Sequence, residues 1–143
     1  MKVVDANVLL YAVNEDDQHH ERARGWLDAA LSGYETIGFT WVALLAFLRL
    51  STKVGLFPRP LSVTDSCATI TDWLGASPSV LLAPTVRHAA VLSGLLAAVG
   101  TGGNLVSDAH LAAIVLEHGA SVVTFDNDFG RFLGVQWEPP GSG

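Results

Sequence analysis

The sequence predicts an α/β fold in which helices pack around a mainly parallel β-sheet. Short apolar or β-branched stretches alternate along the chain with longer segments of helical spacing, an alternation that is typical of parallel sheets with helical connections. Clusters of glycine, proline and polar residues separate these segments, as expected of turns. The length of 143 residues suits one domain. We therefore expect a single domain over residues 1–138, followed by a tail at residues 139–143.

The elements of the amino-terminal part follow from apolar spacing. Ala23, Trp26 and Leu27 recur at helical intervals, and Asp16 or Asp17 is the expected cap of that helix. The predicted elements are a strand at residues 2–4, an apolar run at 8–13, a polar loop at 14–17 and a helix at 19–31.

The central part contains the most apolar predicted helix. Thr40 is suited to cap it, and no turn residue interrupts it before Gly55. Because this helix carries apolar residues on nearly all of its sides, we expect it in a central rather than a surface position. Ser62 or Thr64 lies near the start of the next helix. The predicted elements are a strand at residues 37–39 and helices at 40–52 and 61–74.

The carboxy-terminal part returns to alternating strands and helices. Gly100 is expected to end one helix and Ser107 to cap the next. The predicted elements are a short buried strand at residues 80–82, a helix at 85–99, a loop at 100–104, a helix at 108–118, a strand at 121–125, a turn with a short helix at 126–132 and a strand at 135–137.

Composition excludes several classes of protein. The 8 Lys and Arg residues face 14 Asp and Glu, a net charge of −6, so a broad basic surface for duplex DNA is absent. Cys67 is the single cysteine and cannot form an intrachain disulfide. The longest apolar run, residues 41–48, is far shorter than the ~20 residues that a membrane helix needs. We expect a soluble cytoplasmic protein with no membrane contact.

Four aspartates stand where the sites of α/β proteins are built. Asp5 follows the first strand, Asp126 and Asp128 follow the strand at residues 121–125, and Asp108 opens a helix after a glycine-rich loop. Ligands of open α/β sheets bind beyond the carboxyl ends of the strands. Other interpretations exist, since Asp128 also suits a turn and Asp108 a favourable first-turn acid. Asp5 is harder to explain without a ligand, because a charge directly after a buried strand needs a partner.

A hard divalent cation is the natural partner of clustered carboxylates. Neighbouring carboxylates repel one another, and burial disfavours their ionised forms. Mg²⁺ prefers oxygen ligands and keeps several waters, so a few side chains suffice to bind it. No Cys and His set has the spacing of a zinc site. Such a cation activates water and polarises phosphoryl oxygens, which indicates phosphodiester hydrolysis.

Three motifs in this order resemble PIN-domain proteins, and most of all the VapC-type toxins of bacterial toxin–antitoxin pairs. They are the opening V-V-D-A-N-V-L-L-Y-A, the middle G-N-L-V-S-D-A-H-L-A-A and the late G-A-S-V-V-T-F-D-N-D-F. The stretches F-L-R-L-S-T and F-L-G-V-Q-W resemble a mycobacterial subgroup. The resemblance covers the chain to about residue 140.

This resemblance implies a three-layer α/β/α sandwich and an endoribonuclease that uses Mg²⁺, or Mn²⁺ in its place. VapC toxins cut structured RNA such as tRNA or rRNA, commonly form homodimers and are silenced by a VapB antitoxin. Position by position, Asp5, Asp108 and Asp126 match the family's metal-binding acids, and Asp128 matches the second acid of the late motif. Asn7 matches the polar residue that supports the first carboxylate.

One departure from the family concerns the predicted central helix. The family usually carries a Glu there, whereas this helix has no carboxylate, and Phe47 is expected in its place. Arg49 is the only charge in the helix before Lys53. It either pairs with an active-site aspartate or contacts the scissile phosphate, or else it extends to the surface; the apolar surroundings favour an inward role. Asn104 either orients a metal-bound water or serves as a turn residue.

Two other functions compete with the nuclease. The missing Glu allows a PIN-like module that binds RNA or antitoxin without cleaving. A haloacid-dehalogenase-like phosphohydrolase would place a second acid at the position of Asn7 and a lysine late in the chain, but the only lysines are Lys2 and Lys53.

Overall fold

Five short parallel strands form the central sheet of the protein. The structure is a computed structural model, and it describes residues 1–141. The strands are β1 (Lys2–Val4), β2 (Ile37–Phe39), β3 (Ser79–Leu81), β4 (Ser121–Val123) and β5 (Trp137–Glu138). Their order in the sheet is β3-β2-β1-β4-β5, and all four pairings are parallel. The chain therefore fills one half of the sheet first and then crosses to the other side of β1.

Six α-helices cover the sheet in the described part of the chain, and two short 3₁₀ helices occupy Gly103–Leu105 and Asn127–Arg131. The α-helices are α1 (Ala6–Val13), α2 (His20–Leu31), α3 (Trp41–Ser51), α4 (Val63–Gly75), α5 (His88–Val99) and α6 (Val106–Glu117). The apolar run that follows Asp5 is thus a helix. Within residues 1–141 no helix is both long and apolar enough to cross a bilayer.

Two hydrophobic cores lie on opposite faces of the sheet. Successive strand residues point to opposite faces, and accordingly Val3 belongs to one core and Val4 to the other. The core around Val4 is covered by α1 to α4 and contains Phe47 and Trp73. The core around Val3 is covered by α5 and α6 and contains Phe129. This arrangement confirms the predicted three-layer α/β/α sandwich.

The starts of two helices differ from the prediction. Neither Asp16 nor Asp17 caps α2; the Asp17 carboxylate instead accepts a 2.8 Å hydrogen bond from the backbone N–H of His19, ahead of the helix. Ser107 lies inside α6 rather than at its cap, because the 3₁₀ turn at Gly103–Leu105 runs directly into the helix. The cap predicted at Thr40 is confirmed, because its side chain accepts a backbone N–H of α3. Of the two residues predicted near the start of α4, Ser62 and Thr64, Ser62 is the cap.

Two elements expected to be buried are partly open to solvent. Helix α3 exposes Trp41 and Leu45 on one side, so it is central only on its other faces. Strand β3 exposes Val80 and Leu81 because it lies at the edge of the sheet.

Of the predicted tail, Pro140 is buried and its carbonyl accepts a hydrogen bond from the Arg22 guanidinium, while residues 142–143 lie outside the described residues.

Candidate active site

The candidate site lies at the carboxyl edge of the sheet, where the order of the strands reverses. Strands β1 and β4 are neighbours, yet their chain continuations lead to opposite halves of the molecule. A crevice forms at such a reversal in open α/β sheets. Asp5 directly follows β1, and Thr124 directly follows β4.

Asp5 is held at the junction between β1 and α1. Its Oδ1 accepts a 2.7 Å hydrogen bond from the backbone N–H of Ala6, which makes it the cap of α1. Its own N–H donates to the carbonyl of Val123 on the neighbouring strand, at 3.1 Å. Only 9% of the residue is exposed. Burial is the largest influence on the carboxyl group and raises its pKa.

Thr124 connects the two strand ends through one hydroxyl group. The hydroxyl donates to Oδ2 of Asp5 at 2.8 Å and accepts from Nδ2 of Asn7 at 3.1 Å and from the N–H of Asp126 at 3.0 Å. The residue is fully buried, so one donor and two acceptor positions are all used. Sequence reasoning missed Thr124, although its place between a β-branched strand and an aspartate was visible.

Asn7, for which a supporting role is predicted, forms a hydrogen bond with the Asp5 carboxylate. Its amide Nδ2 donates to Oδ2 of Asp5 at 3.3 Å, while its Oδ1 accepts from the N–H of Phe125 at 3.1 Å. One side chain thereby joins the first turn of α1 to the segment after β4. The two ends of the crevice are held in a fixed relation by these bonds.

Asp126 and Asp128 lie on the segment that follows Thr124. Asp126 caps the 3₁₀ helix at Asn127–Arg131, where its Oδ1 accepts a 2.8 Å hydrogen bond from the N–H of Asp128. The Asp128 side chain is exposed to solvent. Asp126 therefore fills the turn role that was considered for Asp128, and its second carboxylate oxygen is left for other partners.

Asp108 brings the fourth carboxylate to the same place from the first turn of α6. Its pKa is raised to about 7, first by burial and then by the charges of Asp5, Asp126 and Asp128, and a hydrogen bond with Asp126 adds to the effect. The other three predicted acids thus all act on Asp108. Carboxylates that repel each other in this way favour a shared proton or a bound cation.

A small cavity of about 100 Å³ opens beside these acids. Its acidic wall consists of Asp5 and Asp108, and its apolar wall comes from α3. The lining residues are Asp5, Ala6, Val42, Ala43, Ala46, Ser107, Asp108 and Leu111. We call this cavity the acid pocket, because two of the predicted acids line it.

Comparison with known proteins agrees with this geometry. Residues 2–133 match the PIN domain. The chain belongs to the PIN domain family. It is 60% identical over 140 residues to Ribonuclease VapC37 of Mycobacterium tuberculosis, covering 98% of this chain and 97% of that protein. It is 36% identical to Ribonuclease VapC33 of the same species, with 98% of each chain covered. It is therefore a PIN domain of the VapC type.

Solved structures share the fold. The Mycobacterium tuberculosis toxin VapC20, described as cleaving the sarcin-ricin loop, superposes with a TM-score of 0.69 at 16% identity, covering 95% of this chain and 99% of that one. VapBC2 of Rickettsia felis, bound to a promoter DNA fragment, has a TM-score of 0.69 at 17% identity, with 97% and 98% covered. These likenesses establish the sandwich architecture.

Ala46, and not Phe47, is among the residues of α3 that line the acid pocket. Ala46 lines the acid pocket, whereas Phe47 is fully buried in the core, with its ring 4.7 Å from that of Trp73. The expectation that Phe47 occupies the acid's place is therefore wrong by one position. A methyl group at Ala46 leaves the α3 wall of the pocket without charge.

Two supporting residues of the prediction do not contact the acids. Arg49 is exposed and forms no ion pair with any residue of the described chain, so the expected inward pairing with an aspartate is not observed. Asn104 is exposed in the 3₁₀ turn before α6, and within residues 1–141 its side chain makes no hydrogen bond to Asp108.

The donor set suits a hydrated cation better than a dehydrated one. The side chains of residues 1–141 include no cluster of three His, Cys, Asp or Glu residues already spaced to hold a metal. The carboxylates of Asp5 and Asp126 are nevertheless close enough to Asp108 to raise its pKa, and Asp126 also raises the pKa of Asp5. Mg²⁺ keeps several waters and needs few protein ligands, so these residues fit it.

Proposed function

We propose that this protein is a metal-dependent endoribonuclease and the toxin of a toxin–antitoxin pair. The observation that carries the proposal is the convergence of four aspartates on one crevice, with the pKa of Asp108 raised to about 7. VapC ribonucleases with up to 60% identity to the chain support RNA as the substrate. A haloacid-dehalogenase-like enzyme is not favoured. Lys2 forms an ion pair with Glu138 at 2.8 Å. The amide of Asn7 forms hydrogen bonds with Asp5 and Thr124.

Each acid has a role that follows from its surroundings. Asp5, Asp108 and Asp126 would hold Mg²⁺, or Mn²⁺ in its place, and a bound cation supplies positive charge for the phosphoryl oxygens and for an attacking water. Thr124 and Asn7 keep the Asp5 carboxylate in one orientation. Asp128, which remains exposed, orients water or substrate at the outer rim.

Hydrolysis requires water to add to phosphorus while the bond to the leaving ribose oxygen breaks. Without a cation the pKa of Asp108 is about 7, so this carboxyl exchanges its proton for the cation near neutral pH. The apolar wall of Val42 and Ala46 limits water on the α3 side of the pocket. The chain's own groups thus provide orientation, proton exchange and partial exclusion of solvent.

The partners follow from the same surfaces. A VapB-type antitoxin with a basic side chain in the acid pocket would neutralise its carboxylates, and VapBC complexes of this fold are known from Rickettsia felis. A homodimer is supported by exposed apolar residues at the edge strand β3, where Leu81 is 49% exposed, and in the loop after it, where Val86 is fully exposed. Structured RNA such as tRNA or rRNA is the proposed target.

The deciding experiment is cleavage of total cellular RNA by the purified protein with Mg²⁺, Mn²⁺ or EDTA, beside the variant Asp126→Asn. Discrete fragments that require both metal and Asp126 are expected. Asp28→Asn is the matched control, since Asp28 is an exposed aspartate paired with Arg24 on α2. Fragments that persist in EDTA would refute the metal-dependent mechanism. Absence of cleavage despite measurable Mg²⁺ binding and retained RNA binding would favour the non-cleaving module.

A further inference from the structure

The basic residues of this acidic protein fall into two groups. Lys2, Arg24 and Arg59 form ion pairs with carboxylates, and Arg22 and Arg87 donate to backbone carbonyls. Arg49, Lys53 and Arg131 are exposed, and their side chains have no partner within residues 1–141.

Arg49 continues the side of α3 that lines the acid pocket. Val42, Ala46 and Arg49 are separated by four and three residues, so they form one stripe along the helix. The first two line the pocket. Arg49 lies one turn beyond Ala46 and is open to solvent. Arg49 therefore continues the stripe that borders the pocket, and none of the acids forms an ion pair with it.

Arg131 has the same relation to the acids on the other side. It shares the 3₁₀ helix at Asn127–Arg131 with Asp128. Because a 3₁₀ helix has three residues per turn, side chains at i and i+3 eclipse. Arg131 therefore stands above Asp128 on the exposed face, while Phe129 and Phe132 turn into the core.

The strand order places the elements that carry the two arginines on either side of the strand that ends at Asp5. Arg49 belongs to the helix that follows β2, and Arg131 to the segment that follows β4. Strand β1, which ends at Asp5, lies between β2 and β4.

We propose that Arg49 and Arg131 bind backbone phosphates of the RNA strand on the two sides of the acid pocket. The proposal rests on the proposed ribonuclease function and deepens it by naming the residues that hold the substrate. A net charge of −6 repels RNA, so local unpaired cations are needed to seat the strand. Guanidinium groups suit phosphate because they donate two parallel hydrogen bonds.

The test measures binding of a fluorescein-labelled single-stranded RNA of mixed sequence by fluorescence anisotropy. The titrations use EDTA, which prevents metal-dependent cleavage, over a series of NaCl concentrations. The variants are Arg49→Gln, Arg131→Gln and the double variant, with Arg131→Lys to retain the charge. Arg24→Gln is the matched control, because Arg24 is also exposed but pairs with Asp28 away from the site.

Each Gln variant is expected to bind RNA about tenfold more weakly than the parent protein. The slope of log K against log salt should fall in magnitude by about 0.7 per lost phosphate contact. Arg131→Lys should keep the slope, and Arg24→Gln should keep both affinity and slope. Thermal melting should be the same for all variants, since neither arginine side chain has a partner in the described chain.

Unchanged affinity and slope in both single Gln variants would overturn the proposal. If only one of the two Gln variants binds RNA more weakly, the arginine replaced in the other variant does not contact phosphate. Cleavage of total RNA with Mg²⁺, run in parallel on the parent protein, distinguishes failure of the phosphate contacts from failure of the proposed ribonuclease function. Metal-dependent cleavage with unaltered binding in the variants refutes only the phosphate contacts, whereas absence of cleavage with lost binding in the variants refutes the nuclease and retains the contacts.

Discussion

The hydroxyl of Thr124 donates a 2.8 Å hydrogen bond to the carboxylate of Asp5, a residue 119 positions earlier in the chain. This bond joins the ends of two neighbouring parallel strands and sets the orientation of the most buried acid of the site. It also leaves the hydroxyl oxygen to accept the N–H of Asp126. One neutral side chain thereby positions two of the proposed metal ligands.

Replacing Thr124 with valine should damage both stability and activity. The variant keeps the shape but removes the donor to Asp5 and the acceptor that Asn7 and the Asp126 N–H share. We expect a loss of about 1–3 kcal/mol in the free energy of unfolding, together with reduced RNA cleavage. Urea denaturation measures the first and fragment formation the second. Thr124→Ser retains the hydroxyl and should restore most of both; equal damage from serine and valine would contradict the hydrogen-bonding role.

Metal binding should become tighter as the pH rises through about 7. The carboxyl of Asp108 has a pKa raised to about 7 by burial and by its acidic neighbours, and it must lose its proton before it can bind a cation. Calorimetry with Mg²⁺ at pH 6 and pH 8 should show higher affinity at pH 8 and proton release at pH 6. Asp108→Asn should remove this dependence. The same affinity at both pH values would contradict the assignment of Asp108.

The stability of the metal-free protein should respond to pH in the opposite direction. A carboxyl whose pKa is raised in the folded state favours folding while it is protonated. This contribution is complete below its ordinary pKa of 3.8 and is lost as the pH rises to about 7. Asp108→Asn should therefore flatten the decline of the melting temperature between pH 5 and pH 8. Added Mg²⁺ should raise the melting temperature of the parent protein most at the upper end of that range.

A carboxylate placed at position 46 should strengthen metal binding, whereas one at position 47 should unfold the core. Ala46→Glu adds a fifth acid to the site from the pocket wall, and we expect roughly tenfold higher Mg²⁺ affinity. Phe47→Glu removes a ring that packs on Trp73, at a cost of about 3–5 kcal/mol before any penalty for the buried charge. Calorimetry measures the Mg²⁺ affinity of each variant, and thermal melting measures its stability. A stable Phe47→Glu protein with improved metal binding would show that the pocket is formed differently.

The packing of α5 on α6 should depend on Glu117. Its side chain is fully buried and accepts hydrogen bonds from the N–H and hydroxyl of Thr85 and from Nδ1 of His88. Although burial raises the pKa of Glu117, these bonds outweigh it and lower the pKa below the ordinary value of 4.5. The resulting stability is present above pH 4.5 and is lost as the pH falls through the lowered pKa.

Glu117→Ala should therefore lower the melting temperature at pH 7, and the difference from the parent protein should shrink at pH 3. Glu21→Ala is the control, since the Glu21 side chain is 95% exposed. If both variants melted alike at pH 7, the network around Glu117 would not stabilise the helix pair.

The sequence by itself determined the class of fold and the location of the acids. Alternation of apolar stretches with helical spacing predicts a parallel sheet, and the carboxyl ends of parallel strands must meet at one edge. Any acid that directly follows a strand is therefore brought to that edge, which is why Asp5 and Asp126 could be predicted as neighbours. Asp108 could be predicted because it opens a helix directly after a loop.

Only the tertiary structure decided which neighbouring side chains complete the site. Successive residues of a helix point 100° apart, so an error of one position separates Ala46 in the pocket from Phe47 in the core. The role of Thr124 could not be predicted, although its position after a strand could. The sequence around such a threonine is the same whether or not its hydroxyl contacts a carboxylate. Arg49 could be placed on a helix but not on a face, since the face depends on what packs against it. Contacts between distant parts of the chain determine these features, and local residue patterns do not encode them.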